Sequence, residues 1–232
     1  MHLIRHAEDR GHTTTDWLNS RHSFSFGTYK DPNWDGFRTL TVINEDHVAP
    51  QSGFEPHSHK NMEIMTYVVS GTLTHQDSTG AKSTMKSGDA QLMSAGVGIE
   101  HSEMNETDEP CHFLQIWIKP DQQDEAPKYQ QISVEREEKE GNIKLLASPE
   151  GSDNSLQIAQ NVYIYNSLVI EGESISINME PERHVWIQII SGSTSINGEN
   201  LHAGDGISIS AEEMIVITAV ESNADLLLFD LG

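Results

Sequence analysis

Short apolar runs, separated by glycine, proline and polar residues, recur along the whole chain. In several of them apolar and polar side chains alternate, as in strands with one buried face, and few windows show the period of an amphipathic helix. We therefore predict an all-β protein of the sandwich or barrel type, with a short exposed helical turn at residues 133–139. The clearest predicted strands cover residues 39–44, 64–69, 112–118, 185–190, 207–210 and 226–230.

A polar segment that contains two prolines, residues 119–127, interrupts this pattern. Such a change of composition is typical of a domain boundary. We predict an N-terminal domain over residues 1–122, a linker over 123–132 and a C-terminal domain over 133–232. Gly71 and Gly88 of the first half have counterparts in sequence context, Gly192 and Gly204, in the second. This repetition predicts two domains with the same fold.

The chain is acidic, with 14 Lys and Arg against 36 Asp and Glu and a formal net charge of −22 at pH 7. Such a surface repels phosphate groups, so we expect no direct binding to nucleic acid or to a membrane. We interpret the acidic residues as a solvated coat that keeps the protein soluble and monomeric. No apolar run is long enough for a membrane helix or a signal peptide.

The single cysteine, Cys111, excludes an intrachain disulfide and any CxxC motif. This agrees with a reducing, cytoplasmic setting. Cys111 opens a predicted strand, so we expect a buried structural thiol rather than a nucleophile.

Two short motifs, His57-Ser58-His59 and His101-Ser102-Glu103, carry the candidate chemistry. In a strand, residues i and i+2 point to the same face, so each motif directs two metal-binding side chains one way. Two such strands side by side would surround one ion with three imidazoles and one carboxylate. A single HxH is more often a polar surface pair, but the second motif favours a metal site.

Mixed nitrogen and oxygen ligation suits divalent iron, nickel, cobalt, copper, manganese or zinc. An octahedral ion would keep two positions open for water, dioxygen or substrate, whereas tetrahedral zinc would be closed and structural. The ligand count leaves both open. We interpret the remaining histidines as surface or packing residues: His2, His6, His12, His22, His47, His75, His112, His184 and His202.

The second half lacks the ligands. When the halves are aligned on their glycines, Asn178 and Glu180 take the positions of the first motif. Ile217 and Ala219 take those of the second. We therefore expect one metal per chain, in the N-terminal domain.

In the first half the HxH motif is followed by Glu63, then by Gly88-Asp89, and His101 is followed by Asn105. Through these residues the first half resembles the cupins, small antiparallel barrels of the jelly-roll type. Five segments are spread over residues 20–120: 22–27 (HSFSFG), 53–59 (GFEPHSH), 93–96 (MSAG), 98–103 (GIEHSE) and 113–117 (FLQIW). Through these segments the chain resembles one group of cupins, the pirins.

The resemblance implies two tandem cupin barrels, of which the N-terminal one holds a divalent metal, iron first, through His57, His59, His101 and Glu103. Many cupins use the carboxylate of the first motif, here Glu63, and pirins use the one at Glu103. Glu63 is therefore the lesser alternative as a ligand.

Pirins of bacterial type are similar in function to quercetin 2,3-dioxygenases, which cleave a flavonol with dioxygen. The resemblance thus implies a flat aromatic substrate, with Glu103 as the catalytic proton acceptor. Some pirins instead act as iron-dependent partners of a transcription regulator or a metabolic enzyme. In that alternative the acidic surface would serve protein docking without turnover.

Overall fold

Strands dominate the fold in a computed structural model that describes all 232 residues. In the first half of the chain the strands are β1 (His2–Arg5), β2 (Gly11–Thr14), β3 (Leu18–His22), β4 (Leu40–Val48), β5 (Ser52–His59), β6 (Glu63–Ser70), β7 (Thr72–Asp77), β8 (Lys82–Lys86), β9 (Asp89–Ser94), β10 (Ile99–Asn105), β11 (Cys111–Ile118) and β12 (Lys128–Ser133). In the second half they are β13 (Lys144–Ser148), β14 (Leu156–Gln157), β15 (Val162–Val169), β16 (Ser174–Asn178), β17 (His184–Ser191), β18 (Ser193–Ile196), β19 (Glu199–His202), β20 (Gly206–Ser210), β21 (Met214–Ala219) and β22 (Ala224–Leu231).

Helical structure is limited to one short α-helix and two 3-10 turns. The helix, α1, covers Arg136–Lys139 and begins at a capping box formed by Glu135 and Glu138. The 3-10 turns cover Ala7–Asp9 and Ser152–Asn154. None of these segments has the length and apolar character that crossing a membrane as a helix requires. The prediction of an all-β protein with a short helical turn near residues 133–139 is confirmed.

The chain forms two compact units. The first comprises residues 11–133 and 156–160, and the second comprises residues 1–10, 134–155 and 161–232. In the first unit one sheet has the order β12-β9-β6-β11-β4-β3-β2 and the other β5-β10-β7-β8. In the second unit the corresponding orders are β1-β20-β17-β22-β15-β13 and β16-β21-β18-β19. Each unit is therefore a pair of antiparallel sheets of the jelly-roll type.

Each unit has its own apolar core, to which both of its sheets contribute. In the first unit, Phe113 of the larger sheet packs with Leu73 and Met85 of the smaller one. In the second, Val185 of the larger sheet packs in one cluster with Ile217 of the smaller. Burial of these side chains is the main force that holds the sheets together.

The repeated glycines occupy equivalent turns in the two units. Gly71 (φ 80°) separates β6 from β7 and Gly192 (φ 81°) separates β17 from β18. A Cβ at either position would approach a backbone carbonyl oxygen, at 2.4 Å for Gly71 and 2.1 Å for Gly192. Only glycine fits such a left-handed, crowded turn.

The two Gly-Asp pairs are also equivalent. Asp89 accepts a hydrogen bond from the backbone N–H of Lys86 at 2.8 Å, three residues before it. Asp205 accepts one from His202 in the same way, also at 2.8 Å. The sequence repeat thus corresponds to a repeat of local structure.

The bounds of the two units differ from those of the predicted domains. The first residues of the chain belong to the second unit, where β1 pairs with β20. Part of the predicted linker is a strand, since β12 pairs with β9 along its whole length. The polar segment 119–127 connects β11 to β12 within the first unit and is not a boundary between the units. Local composition carries no information about which distant strand a segment pairs with.

Candidate metal centre

The two ligand motifs lie on neighbouring strands of the smaller sheet in the first unit. His57 of β5 is directly opposite His101 of β10 in the antiparallel register. On β10 the buried positions alternate, so His101 and Glu103 both point into the unit. The prediction that the two motifs come together on adjacent strands is therefore supported by the register.

The pairing of β5 with β10 is irregular next to the first motif. The register shifts between His101 and Glu103, so that β5 holds one more residue than β10 over this stretch. Pro56 lies in this stretch, on the edge strand of its sheet, where a missing N–H group is tolerated. Gly53 lies just before it, and a Cβ there would come within 2.3 Å of the Glu103 carbonyl oxygen. The close approach of β5 to β10 thus requires glycine.

Three histidines converge on one point. One ring nitrogen from each of His57, His59 and His101 lies within 4.8 Å of the others. His57 Nδ1 is 2.8 Å from the carbonyl oxygen of Glu55, so it donates there and its Nε2 remains available. The Nε2 atoms of His59 and His101 are shielded from solvent and have no hydrogen-bond partner. Buried polar atoms are rarely left without a partner, and a metal ion would satisfy these nitrogens.

The electrostatics of the group also suit a metal. Burial, together with the charges of the neighbouring histidines, lowers the pKa of His59 to about 4. The same causes, burial first, lower the pKa of His101 to about 3. Both rings are therefore neutral at neutral pH, which is the form that donates a lone pair to a metal.

Glu103, the fourth predicted ligand, is fully buried and lies beside His101. Its carboxylate accepts hydrogen bonds from Thr66 (2.8 Å) and Gln91 (2.8 Å) on Oε1 and from Gln115 (2.5 Å) on Oε2. Its ligand atom falls in a group with His75 and His101, not in the three-histidine group. The structure thus brings three of the four predicted ligands to one point and places the carboxylate next to it.

Glu63, the alternative ligand, has other partners. Its Oε2 accepts hydrogen bonds from Ser94 Oγ at 2.8 Å and from the Ala159 N–H at 3.4 Å. Burial raises its pKa above the usual value. It belongs to none of the metal-ligating groups.

His75 and Asp77 are part of this site, although the sequence predicts His75 only as a surface or packing residue. Both side chains are fully buried, and His75 Nε2 is 2.9 Å from Asp77 Oδ2. His75 Nδ1 is 3.5 Å from His101 Nδ1. An available signal was the HxD spacing on β7, which has the same i, i+2 geometry as the HxH motif.

A cavity of about 560 Å³ opens at the histidines. His57, His59 and Gln115 contribute polar groups to its wall, and the other lining side chains are mainly apolar: Trp17, Phe26, Phe54, Met104 and Trp117. Neither His101 nor Glu103 lines this cavity; His101 lines a second one of about 300 Å³ with Asp77. The aromatic wall and the few polar groups are typical of a small-molecule site.

The corresponding positions in the second unit hold no ligand set. Ile217 and Ala219 are fully buried in its apolar core. Asn178 and Glu180, at the positions that correspond to His57 and His59, are exposed. Apolar packing has taken the space that polar groups fill in the first unit.

Comparison with known proteins agrees with this architecture. Residues 4–118 match the pirin family model, and residues 145–231 match the model of the quercetinase C-terminal cupin domain. A quercetin 2,3-dioxygenase of Escherichia coli K12 is 42% identical over 232 residues, covering 100% of this chain and 99% of that protein. The chain belongs to the pirin family. The fold is accordingly that of a bicupin, as predicted.

Several solved structures have a similar fold. The crystal structure of YhhW from Escherichia coli superposes with a TM-score of 0.96 at 42% identity, covering 100% of this chain and 98% of that one. The bacterial pirin YhhW has also been solved in complex with nickel(II), with a TM-score of 0.94, 41% identity and coverage of 100% and 99%. YhaK from Escherichia coli has a TM-score of 0.75 at 32% identity, with coverage of 90% and 92%.

Proposed function

We propose that this pirin is a metal-dependent flavonol dioxygenase, which opens the central ring of a quercetin-like flavonol with dioxygen and releases carbon monoxide. The observation that supports it best is the three-histidine group at the wall of an aromatic cavity. Phe54 and Trp117 offer ring faces and edges to a flat polyphenol, while His57 and His59 reach the same space. The name of the relative with 42% identity points the same way.

The metal would be held by His57, His59 and His101, with Glu103 as the fourth ligand. The unpartnered nitrogens of His59 and His101 fit this assignment, and so does the position of Glu103 beside His101. We propose one divalent transition metal in this site, iron first, with nickel, cobalt, copper, manganese and zinc as alternatives. When bound, such an ion acts as a Lewis acid and lowers the pKa of a coordinated hydroxyl group.

Glu103 is the proposed proton acceptor for the flavonol hydroxyl. Its Oε1 accepts two hydrogen bonds, whereas Oε2 accepts one, from Gln115. Gln115 also lines the cavity, so it lies between the carboxylate and the substrate space. If the Gln115 amide turns towards the substrate, Oε2 is freed to take the proton. Thr66 and Gln91 meanwhile hold the carboxylate in place.

The test is aerobic turnover of quercetin by protein loaded in turn with ferrous, nickel, cobalt and copper ions. Loss of flavonol absorbance and release of carbon monoxide are expected from the wild type and not from Glu103→Ala. Glu63→Gln is the matched control, because Glu63 is also a buried carboxylate but hydrogen bonds to Ser94. Activity lost in Glu63→Gln and kept in Glu103→Ala would exchange the roles of the two carboxylates.

The binding alternative gives a different pattern. A net charge of −22 would support docking to a basic protein partner. If no metal supports turnover, but oxidation of bound iron changes the retention of a basic regulator or enzyme, the redox-dependent binding role is the correct one.

A further inference from the structure

A second group of metal-ligating side chains lies on β4 and β11. His47 and His112 are directly opposite each other in the antiparallel register. Their rings are stacked, with centroids 3.9 Å apart and an interplanar angle of 15°. Glu45, two residues before His47, points to the same face, and its Oε1 is 3.0 Å from His112 Nε2. Three donor side chains thus share one patch of the sheet.

This patch is on the opposite face of β4 from the polar interior. Asn44 and Asp46 alternate with Glu45 and His47 along the strand, and both are buried, whereas His47 is exposed. Glu45 and His112 are half-buried. Because successive side chains of a strand point to opposite faces, the patch is separate from the three-histidine group. Solvent reaches the patch through the exposed side chain of His47.

The chemistry of the patch is that of an open metal site. One ligand atom from each of Glu45, His47 and His112 lies within 4.8 Å of the others. Two imidazoles and one carboxylate are a ligand set that binds zinc and other divalent transition metals and leaves coordination positions open. The strongly negative net charge raises the local concentration of cations at the surface.

We propose that Glu45, His47 and His112 form a second site for a divalent transition metal. It is independent of the proposed catalytic centre. The competing explanation is a His112–Glu45 ion pair with a stacked histidine above it, which would need no metal. The group formed by His6, Glu8 and Asp205 is a weaker candidate for a metal site, because Asp205 already accepts backbone hydrogen bonds from Ala7 and His202.

The test is the number of zinc ions retained per chain after equilibrium dialysis, measured by elemental analysis. We expect about two for the wild type, and about one for either His47→Ala or His59→Ala. The double variant should retain none. His6→Ala is the matched control and should retain about two. One ion in the wild type, or two in His47→Ala, would overturn the proposal.

A second measurement covers the ligand identity. In the His59→Ala background, copper(II) added to one equivalent should give an electron paramagnetic resonance spectrum with nitrogen hyperfine structure from imidazole. His47 is an exposed side chain whose loss leaves the core intact. Its replacement should remove or simplify the nitrogen hyperfine structure of the spectrum. An unchanged spectrum would place the copper elsewhere and refute the assignment. Neither measurement uses enzymatic activity, so the outcome is independent of the dioxygenase proposal.

Discussion

His75 contacts His101, and their Nδ1 atoms are 3.5 Å apart. His75 in turn hydrogen bonds through Nε2 to Asp77 at 2.9 Å. Burial opposes ionisation of Asp77, but hydrogen bonds from His75 and Thr79 hold its pKa below the usual value. If Asp77 accepts from His75 Nε2–H, then His75 Nδ1 accepts from His101 Nδ1–H. The lone pair of His101 Nε2 is thereby directed at the proposed metal.

Loss of the hydrogen bonds that join Asp77, His75 and His101 should weaken metal binding. His75→Phe keeps an aromatic ring that can stack on Tyr129, whose ring centroid is 4.5 Å from that of His75, but it removes the hydrogen bonds. We expect the affinity for nickel to fall roughly 10- to 100-fold, as for other residues that orient a metal ligand. Competition with a chromogenic chelator measures this. His184→Phe, in the second unit, is the control, and an unchanged affinity in folded His75→Phe would contradict the expected role.

The aromatic wall of the larger cavity should determine substrate affinity. Trp117 packs edge-on against His59 at 4.9 Å and against Phe26 at 5.5 Å between ring centroids. In Trp117→Leu we expect KM for quercetin to rise up to about tenfold, since aromatic contacts contribute roughly 0.5–1.5 kcal/mol each. Metal content should stay unchanged. Steady-state kinetics of Trp117→Leu measure this KM. Trp34→Leu is the control, because the ring of Trp34 does not line the cavity.

A buried carboxylate should make stability depend on pH. Burial raises the pKa of Asp46 from 3.8 to about 7. A hydrogen bond from Ser20 opposes this shift, and the negative charges of Glu103 and Glu45 add to it. Between these two pKa values the Asp46 carboxyl group is ionised in the unfolded chain but protonated in the folded one. The free energy of unfolding therefore decreases as the pH rises from 4 to 7. The difference is on the order of 1.4 kcal/mol per pKa unit.

Asp46→Asn removes this titration. Relative to the wild type, the free energy of unfolding of Asp46→Asn should increase progressively between pH 4 and 7 and stay level above that range. Urea unfolding of metal-free protein at several pH values gives the comparison. A constant difference at every pH would show that Asp46 is not the titrating group. Asp121→Asn serves as a control at an exposed carboxylate.

The sequence allowed the ligand strands to be predicted because their signals are local. The HxH and HxE spacings follow directly from the two-residue period of a strand, and β5 and β10 place them as that period requires. The predicted strands agree with the observed ones to within a few residues; for example, the strand predicted at 64–69 is Glu63–Ser70. Turn glycines such as Gly71 and Gly192 made the internal repeat visible.

Other parts of the site could not be predicted from the local sequence, because they depend on contacts between distant residues. Gln91 and Gln115 donate to Glu103, but a glutamine within an apolar strand does not show which buried group it faces. His75 is a neighbour of His101 only because β7 pairs with β10. The same limit explains the domain bounds, since β1 finds its partner β20 across almost the whole chain.

The second unit should depend on apolar packing where the first depends on polar groups. Ile217 is fully buried and lies opposite Ile196 on β18 and Ile175 on β16, at the repeat position that corresponds to His101. Ile217→Ala should lower the free energy of unfolding by roughly 2–5 kcal/mol and Ile217→Val by about 0.5–1.5 kcal/mol, because the larger deletion leaves a larger cavity. Nickel affinity of the folded protein should be the same in both variants and in the wild type. If Ile217→Ala, still folded at the temperature of the assay, lost its nickel, the second unit would have a part in metal binding that its apolar core does not suggest.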